Sequence, residues 1–375
     1  MVTRVGIVGG GQLGRMLALA GAPLQIACTT LDPAAGSPAS QVAPAIVGAY
    51  DDLERLAELA GGVDLVTYEF ENVPVDAARF VETLRPVFPP PAALEAAQDR
   101  LSEKQLFEGV GLEVPPYAPV DSLDALADAL AHIGTPAVVK SRRLGYDGKG
   151  QAVIHDAALA EDAWRSIGEV PALLEAFVPF DREVSIVAAR GLDGAFAAYP
   201  LVENHHRDGI LRLTLAPAPD ATHAMQTAAE RHARTVMDSL GYVGVLAIEL
   251  FCVGERLLAN EMAPRVHNSG HWSIEGAVTS QFEQHLRAVL DLPLGAPDAR
   301  DEWSVMVNIL GGPAEGTLQD RYPAALAAHP EAKVHGYGKE PRPGRKVGHI
   351  TVRADDREAL EPRLLRVQQL VEASV

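Results

Sequence analysis

Three features of the sequence predict an α/β (α+β) protein of two or three domains. Residues 1–90 alternate short β-branched runs with amphipathic stretches, the pattern of an open parallel sheet flanked by helices. The run Phe88-Pro89-Pro90-Pro91 cannot continue a helix or a central strand, and LPLGAPDARDE at 292–302 is polar and turn-rich, so both read as domain boundaries. The chain has 375 residues, 47% of them apolar, enough at roughly 100–200 residues per domain for more than one core.

Element by element, the strand RVGIV leads into the helix QLGRMLALA, LQIACTT into DDLERLAELA, and DLVTYE into VDAARFVETL. The middle segment mixes helices near 101–109, 157–167, 223–240 and 278–291 with strands AVVK, ALLEAF, EVSIVAA and GVLAIELF. The tail from 303 reads strand, helix, short strand, basic loop, strand HITVRA and a last helix EALEPRLLRVQQLV.

Composition removes several classes of function. Lys and Arg total 32 against 50 Asp and Glu, a net charge of −18, and a field of that sign repels a polyanion, so no nucleic-acid partner is expected. Two cysteines, Cys28 and Cys252, each lie in an apolar run. They are too few for a disulfide framework or a thiolate metal site and suggest a reduced, cytoplasmic setting. No window approaches the ~18 uninterrupted apolar residues of a membrane span, so no membrane partner is expected either.

Four constellations carry candidate chemistry. Gly9-x-Gly11-x-x-Gly14 follows a strand and opens a helix, and Asp32 follows the next strand. Such a loop offers backbone amides to an anion. It fits a dinucleotide, another phosphate ligand or a structural tight turn, and the loop alone does not choose. A second glycine turn, SRRLGYDGKGQ, follows Lys140 and carries Arg142, Arg143 and Lys149 between two strands. Backbone donors, cations and freedom to close suit a polyphosphate, whereas the Walker spacing is missing. Glu175 and Glu183 sit at strand ends beside an apolar linker, where they could meet an adenine amino group and a ribose. Finally, GVLAIELFCVGERLLANEMAP reads as a hairpin; centred on residue 255, it sets Glu249 opposite Glu261. Like charges in that position cost stability and are better explained by a bridging hard cation such as Mg²⁺ shared with nucleotide phosphates, the alternative being an acidic outer face on a hairpin of slightly different register. Cys252 has the opposite parity and should point into the core. His267 and His271 are four apart, but Gly270 between them argues against a zinc helix. Arg265 suits a developing negative charge.

The strings VGIVGGGQLGRML, TYEFENV, DRLSEKQLF, VVKSRRLGYDGKGQ, GYVGVLAIELF, NEMAPRVHNSGHW, SQFEQHLRA and RPGRKVGHI together closely resemble the 5-(carboxyamino)imidazole ribonucleotide synthase family of ATP-grasp enzymes, the ATPase subunit of phosphoribosylaminoimidazole carboxylase in older usage. The resemblance runs in order along essentially the whole chain. It implies a Rossmann-like pre-ATP-grasp domain at 1–97, an ATP-grasp domain at 98–297 with a mobile lid lobe at about 112–180, and a small C-terminal domain at 298–375. It implies that Mg-ATP is held by Arg100, Lys140, the loop Gly145, Tyr146, Asp147, Gly148, Lys149, Gly150 and Gln151, by Glu175 with the backbone of Ala176, Phe177 and Val178, and by Glu183, His206, Asn260 and Glu261. Glu249 and Glu261 match the magnesium ligands, with two ions expected and Mn²⁺ able to substitute. The aminoimidazole ribonucleotide is expected against Gln12, Leu13, Glu69, Asp147, Arg265, His267, Asn268, Ser269, Lys339, Arg345 and Lys346, the first glycine loop receiving its phosphate. Catalytic roles fall to Arg265, Lys140 and Asp147. Leu144 departs from the family pattern, standing where some members have a second glycine, and AFVPF is a variable hinge.

What the resemblance implies chemically is carboxylation of an amine by ATP and bicarbonate through carboxyphosphate, in purine biosynthesis. The expected assembly is a homodimer, with a possible hand-off of product to a following mutase. A formate-using glycinamide ribonucleotide transformylase-like enzyme is the alternative; an NAD-dependent dehydrogenase would leave the facing glutamates and the RPGRK loop without a role. The acidic total is locally reversed: 333–353 carries six Lys/Arg against Glu340 alone. Two basic stretches, this one and 140–150, are therefore expected to form anion pockets inside an acidic exterior.

Overall fold

The structure, a computed structural model, describes residues 3–145, 148–311 and 316–356 together with Pro362 and Arg366. The expected last helix otherwise lies outside the described residues, as do Tyr146 and Asp147. The chain begins β1 (Arg4–Val8), α1 (Gln12–Gly21), β2 (Ala27–Asp32), β3 (Ala45–Val47), α2 (Leu53–Gly61), β4 (Leu65–Tyr68) and α3 (Val75–Glu82). Its four strands are parallel in the order β3-β2-β1-β4, the arrangement expected of alternating strands and helices. Helix α2 starts where the Asp52 side chain accepts the Glu54 and Arg55 amides at 3.1 and 3.2 Å, and it buries Leu56, Leu59 and Ala60 on one face. The proline run does not simply interrupt the chain: Pro91 occupies the first turn of α4 (Pro91–Ala97), where a missing N–H costs nothing. Asp99 then caps α5 (Arg100–Gly109).

Next come β5 (Tyr117–Val120), α6 (Leu123–Ile133), β6 (Ala137–Ser141), β7 (Gln151–Ile154), α7 (Ala160–Ser166) and β8 (Ala172–Ala176). They form a separate antiparallel sheet, β5-β8-β6-β7, over its own core of Val120, Leu126, Val139, Ile154, Trp164 and Leu174.

The remaining strands are β9 (Arg182–Arg190), β10 (Phe196–Ala198), β11 (Val202–Arg207), β12 (Ile210–Ala216), then after α8 (His223–Ser239) β13 (Gly244–Val253) and β14 (Arg256–Ala263). Helices α9 (Ser273–Gly276) and α10 (Gln281–Val289) precede β15 (Trp303–Leu310), α11 (Tyr322–Ala328), β16 (Lys333–Gly336) and β17 (Lys346–Ala354). One sheet takes all nine strands, in the order β14-β13-β9-β11-β12-β15-β17-β16 with β10 on β9. Pairing of β12 with β15 carries it across the polar stretch at 292–302, so residues on both sides of that stretch share one sheet. The sequence reading separated neither the strands of 196–216 nor α4 and α6. Strand β13 is buried on both faces: Leu246, Ile248, Leu250 and Cys252 pack in the core under α8, while Val245 and Ala247 join the core around α10.

The hairpin of β13 and β14 differs from the regular one centred on residue 255. Its tip pairs Val253 with Arg256, Cys252 with Leu257, Phe251 with Leu258 and Leu250 with Ala259. A bulge then shifts the register by one residue, leaving Asn260 outside the ladder, and Glu249 pairs with Glu261. The extra residue is what puts the two carboxylates opposite each other, because in an unbroken register Glu249 would face Asn260.

Helix α10 ties the N-terminal parallel sheet to the nine-stranded one. The Val245 amide donates to His285 Nδ1 at 3.1 Å, which leaves the imidazole proton on Nε2, 2.8 Å from the Thr67 hydroxyl of β4. Burial pushes His285 down from 6.5 to about 4. An unfolded histidine takes up its proton below about 6.5 while the folded one does not, so the stability it supplies is present above that pH and is lost toward pH 4. Moving from pH 7 to pH 5 should cost about 2 kcal/mol through this group. His285→Ala should lower stability at pH 7 by about 2–4 kcal/mol, from the cavity and the unpaired Val245 amide, and should flatten the pH 5–7 slope. Urea denaturation at the two pH values measures both.

Candidate active site

A cleft of about 930 Å³ opens between the three units, and both basic stretches reach it: Arg142 and Lys149 from one side, Lys339, Arg342, Arg345 and Lys346 from the other. Of the residues expected to hold nucleotide, Arg100, Lys140, Gly145, Gly148, Lys149, Gln151, Glu183, His206, Asn260 and Glu261 line it. Glu175 lies behind them, 2% exposed. It accepts from Lys140 Nζ at 2.9 Å, with Lys104 Nζ at 3.5 Å, while its Oε1 is buried without a partner. Burial works against this carboxylate, yet the two ammoniums hold it below the usual range. The basic end of β6 therefore already has its anion, and Lys140 reaches on to Asn260 Oδ1 at 3.3 Å. The Ala176 and Phe177 amides are committed to the carbonyls of Pro116 and Pro136. Arg142 and Arg143 are drawn to Asp99, at 2.8 and 3.2 Å, so these two loop cations anchor the loop to α5.

On the large sheet, Glu261 accepts from Arg100 at 2.9 Å and Glu249 lies 3.3 Å from His267 Nε2. Burial and the neighbouring Glu261 charge push Glu249 up. Burial acts on Glu261 in the same sense, but Arg100 holds it well below the carboxylate range. The His206 ring contacts Glu183 at 2.6 Å, and this partner keeps its pKa raised despite burial. Among the described residues no group of three or more His, Cys, Asp or Glu is placed to hold a metal ion. The facing carboxylates of Glu249 and Glu261 are oxygen donors in the cleft and fit a hard cation that completes its shell with phosphate oxygens and water, as Mg²⁺ does. His271 is fully buried with its Nδ1 3.2 Å from the Gln281 side chain, whereas His267 lines the cleft.

The first glycine loop turns out to hold an anion of the protein's own. Glu69 accepts the amides of Gly11 and Gly14, and a Cβ at Gly11 would run into that carboxylate. Asp32 is equally occupied, accepting from Gly10, Ala34 and the Tyr50 hydroxyl at 2.8 Å each. The loop is a tight turn in which Glu69 takes the Gly11 and Gly14 amides and Asp32 that of Gly10. The cations nearest this end of the cleft are those of 339–346, with the Lys339 ammonium donating to the Gln12 side chain. Gln12, Leu13 and Glu69 still line the cleft.

Arg265 Nε donates to Glu71 at 2.5 Å and its Nη1 to the Val266 carbonyl at 3.0 Å. Burial opposes the Glu71 charge, but Arg265 holds that carboxylate below its ordinary range. His267 is kept neutral by burial and by Arg265. Ser269, expected against substrate, is fully buried behind it, bonding His267 Nδ1 at 2.8 Å and accepting from Ser185 at 2.8 Å. Asn268 exchanges amide hydrogen bonds with Asn308 at 3.0 and 2.5 Å, so its side chain is committed as well. Sequence reasoning missed Glu71, Asn308, Lys104 and Glu103. TYEFENV and DRLSEKQLF contain three of them, whereas nothing local marks Asn308 as a partner. Glu175→Gln should leave two buried ammoniums without a counter-ion and lower stability by about 3–5 kcal/mol, read from the urea midpoint.

Three family models match the chain in order: the ribonucleotide synthetase preATP-grasp domain over residues 1–98, the ATP-grasp domain over 105–282, and the phosphoribosylaminoimidazole carboxylase C-terminal domain over 304–363. The N5-carboxyaminoimidazole ribonucleotide synthase of Pseudomonas aeruginosa is 48% identical over 370 residues, 99% of this chain and 100% of the relative. That of Brucella melitensis is 49% identical over 355 residues, 92% and 95%. The crystal structure of N5-carboxyaminoimidazole ribonucleotide synthetase from Thermus thermophilus superimposes with a TM-score of 0.91 at 52% identity, covering 99% of each chain. The Aspergillus clavatus enzyme in complex with ADP and 5-aminoimidazole ribonucleotide does so at 0.91 and 30% identity over 98% of each. With the order of domains, the length and the sequence all in agreement, the chain belongs to the N5-carboxyaminoimidazole ribonucleotide synthase family of ATP-grasp enzymes.

Proposed function

We propose that this chain carboxylates the exocyclic amine of 5-aminoimidazole ribonucleotide with ATP and bicarbonate, a step of purine biosynthesis. The observation that carries the reading is the meeting, in one cleft, of Lys140 and Arg100, the facing Glu249 and Glu261, Arg265, and the cations of 339–346. A bicarbonate oxygen attacks the γ-phosphorus of ATP, ADP leaves, and carboxyphosphate results. It breaks down to CO₂ and phosphate, and the amine captures the CO₂ and loses a proton.

Lys140 and Arg100 neutralise the transferring phosphoryl group, and Glu249 and Glu261 would hold Mg²⁺, which supplies further positive charge there. Arg265, oriented by Glu71 and the Val266 carbonyl, has its remaining nitrogen, Nη2, to hold the carboxyphosphate. Lys339, Arg345 and Lys346 take the ribonucleotide phosphate, and Asp147, outside the described residues, is assigned to the amine. Carboxyphosphate is short-lived in water, so closure of the 145–150 loop protects it. As part of the same reading the enzyme is a cytoplasmic homodimer, takes two Mg²⁺ ions or Mn²⁺ in their place, and passes its product to a mutase.

Coupled ADP-release assays test this. ADP formation should require both the ribonucleotide and bicarbonate, and formate should not replace bicarbonate; release independent of both overturns the reading. Arg265→Lys should lower kcat about 100-fold, because one ammonium cannot reproduce the guanidinium fork. Arg345→Ala should raise KM for the ribonucleotide about tenfold and leave KM for ATP unchanged.

A further inference from the structure

Adjacent residues of α5 grip the hairpin at its bulge, and the reaction as described uses neither of them. Lys104, 1% exposed, donates to the Asn260 carbonyl at 2.7 Å and to the Ala259 carbonyl at 3.3 Å. Glu103, 2% exposed, accepts the Met262 amide at 2.7 Å. The Ala259 amide goes to the Glu113 carbonyl at 2.7 Å. Strand β14 is the edge of its sheet, so its outer backbone groups have no neighbouring strand. Consecutive carbonyls turn to one side only where the alternation of a strand is broken, and Lys104 meets two of them at the point where the register shifts. Buried backbone groups released by a bulge must find other partners, and α5 supplies them on both sides of Glu261.

The alternative is a regular hairpin, in which Asn260 opposes Glu249 and Glu261 turns to the other face. We propose that Glu103 and Lys104 are positioning residues that hold the bulge of β14 and thereby keep Glu261 opposite Glu249, setting the enzyme's affinity for its divalent cation. This rests on the reading of Glu249 and Glu261 as the cation's protein ligands.

The test is the Mg²⁺ requirement of the full-length enzyme, measured as the half-saturating Mg²⁺ for ADP formation and, independently of turnover, as the Mg²⁺ dependence of ADP binding by calorimetry. Glu103→Leu, which cannot accept the Met262 amide, should raise the requirement tenfold or more in both. Glu103→Gln keeps an acceptor and should stay within twofold of wild type. Lys104→Met should behave like Glu103→Leu, and it carries the test if Glu103→Leu does not fold. Folded Glu103→Leu and Lys104→Met proteins with the wild-type requirement would overturn the proposal, as would equal impairment of the Leu and Gln variants. Glu261→Gln separates the two readings. If it raises the requirement while the α5 variants do not, the clamp is wrong; if it leaves the requirement unchanged, the cation assignment fails first.

Discussion

Two carboxylates set opposite one another on a hairpin in the cleft repel, and the active-site region is organised around answering that repulsion. Arg100 from the start of α5 holds Glu261 ionised, while Glu249, facing a neutral His267, is pushed toward protonation. A divalent cation relieves both at once, which makes the pair costly alone and well matched to a metal-bound nucleotide. The arrangement depends on a one-residue bulge, and the bulge in turn on the packing of α5 against the edge of the sheet.

The same logic of paired charge recurs around the cleft. Lys104 and Lys140 share Glu175, Arg142 and Arg143 share Asp99, Arg265 is matched by Glu71, and the glycine loop holds Glu69. Each of these charges has its partner before any ligand arrives, which limits the desolvation penalty for the buried ones, Lys104, Lys140, Glu175, Asp99 and Glu69. The cations of 339–346 form the basic wall at the glycine-loop end of the cleft. A chain with a net charge of −18 thus binds phosphorylated substrates by concentrating cations locally and spreading acids over its exterior.

Much of the fold was legible because its signals are local. The parallel N-terminal sheet follows from strand and helix periods, and the core position of Cys252 from the parity of its strand. Strands 196–216 escaped because short polar stretches such as VENHHR lack a clear alternation, and they become strands only by pairing with β9 and β15. The facing glutamates were anticipated with the right partners but the wrong turn. A symmetrical hairpin about residue 255 and a tighter turn followed by a bulge bring the same two residues together, and periodicity cannot tell them apart.

The sequence by itself determined the chemistry available: the residue types, the strand and helix order, the glycine loops, and the family to which their combination belongs. Only the tertiary structure decided which of those groups remain available to a ligand. Glu69 takes two amides of the first glycine loop, Asn308 takes the Asn268 amide, and Ser269 is sealed behind His267. These pairings join residues up to 58 positions apart. Whether a donor faces solvent or another side chain is set by that distant packing, since a buried polar group must be paired and takes the partner the fold brings to it.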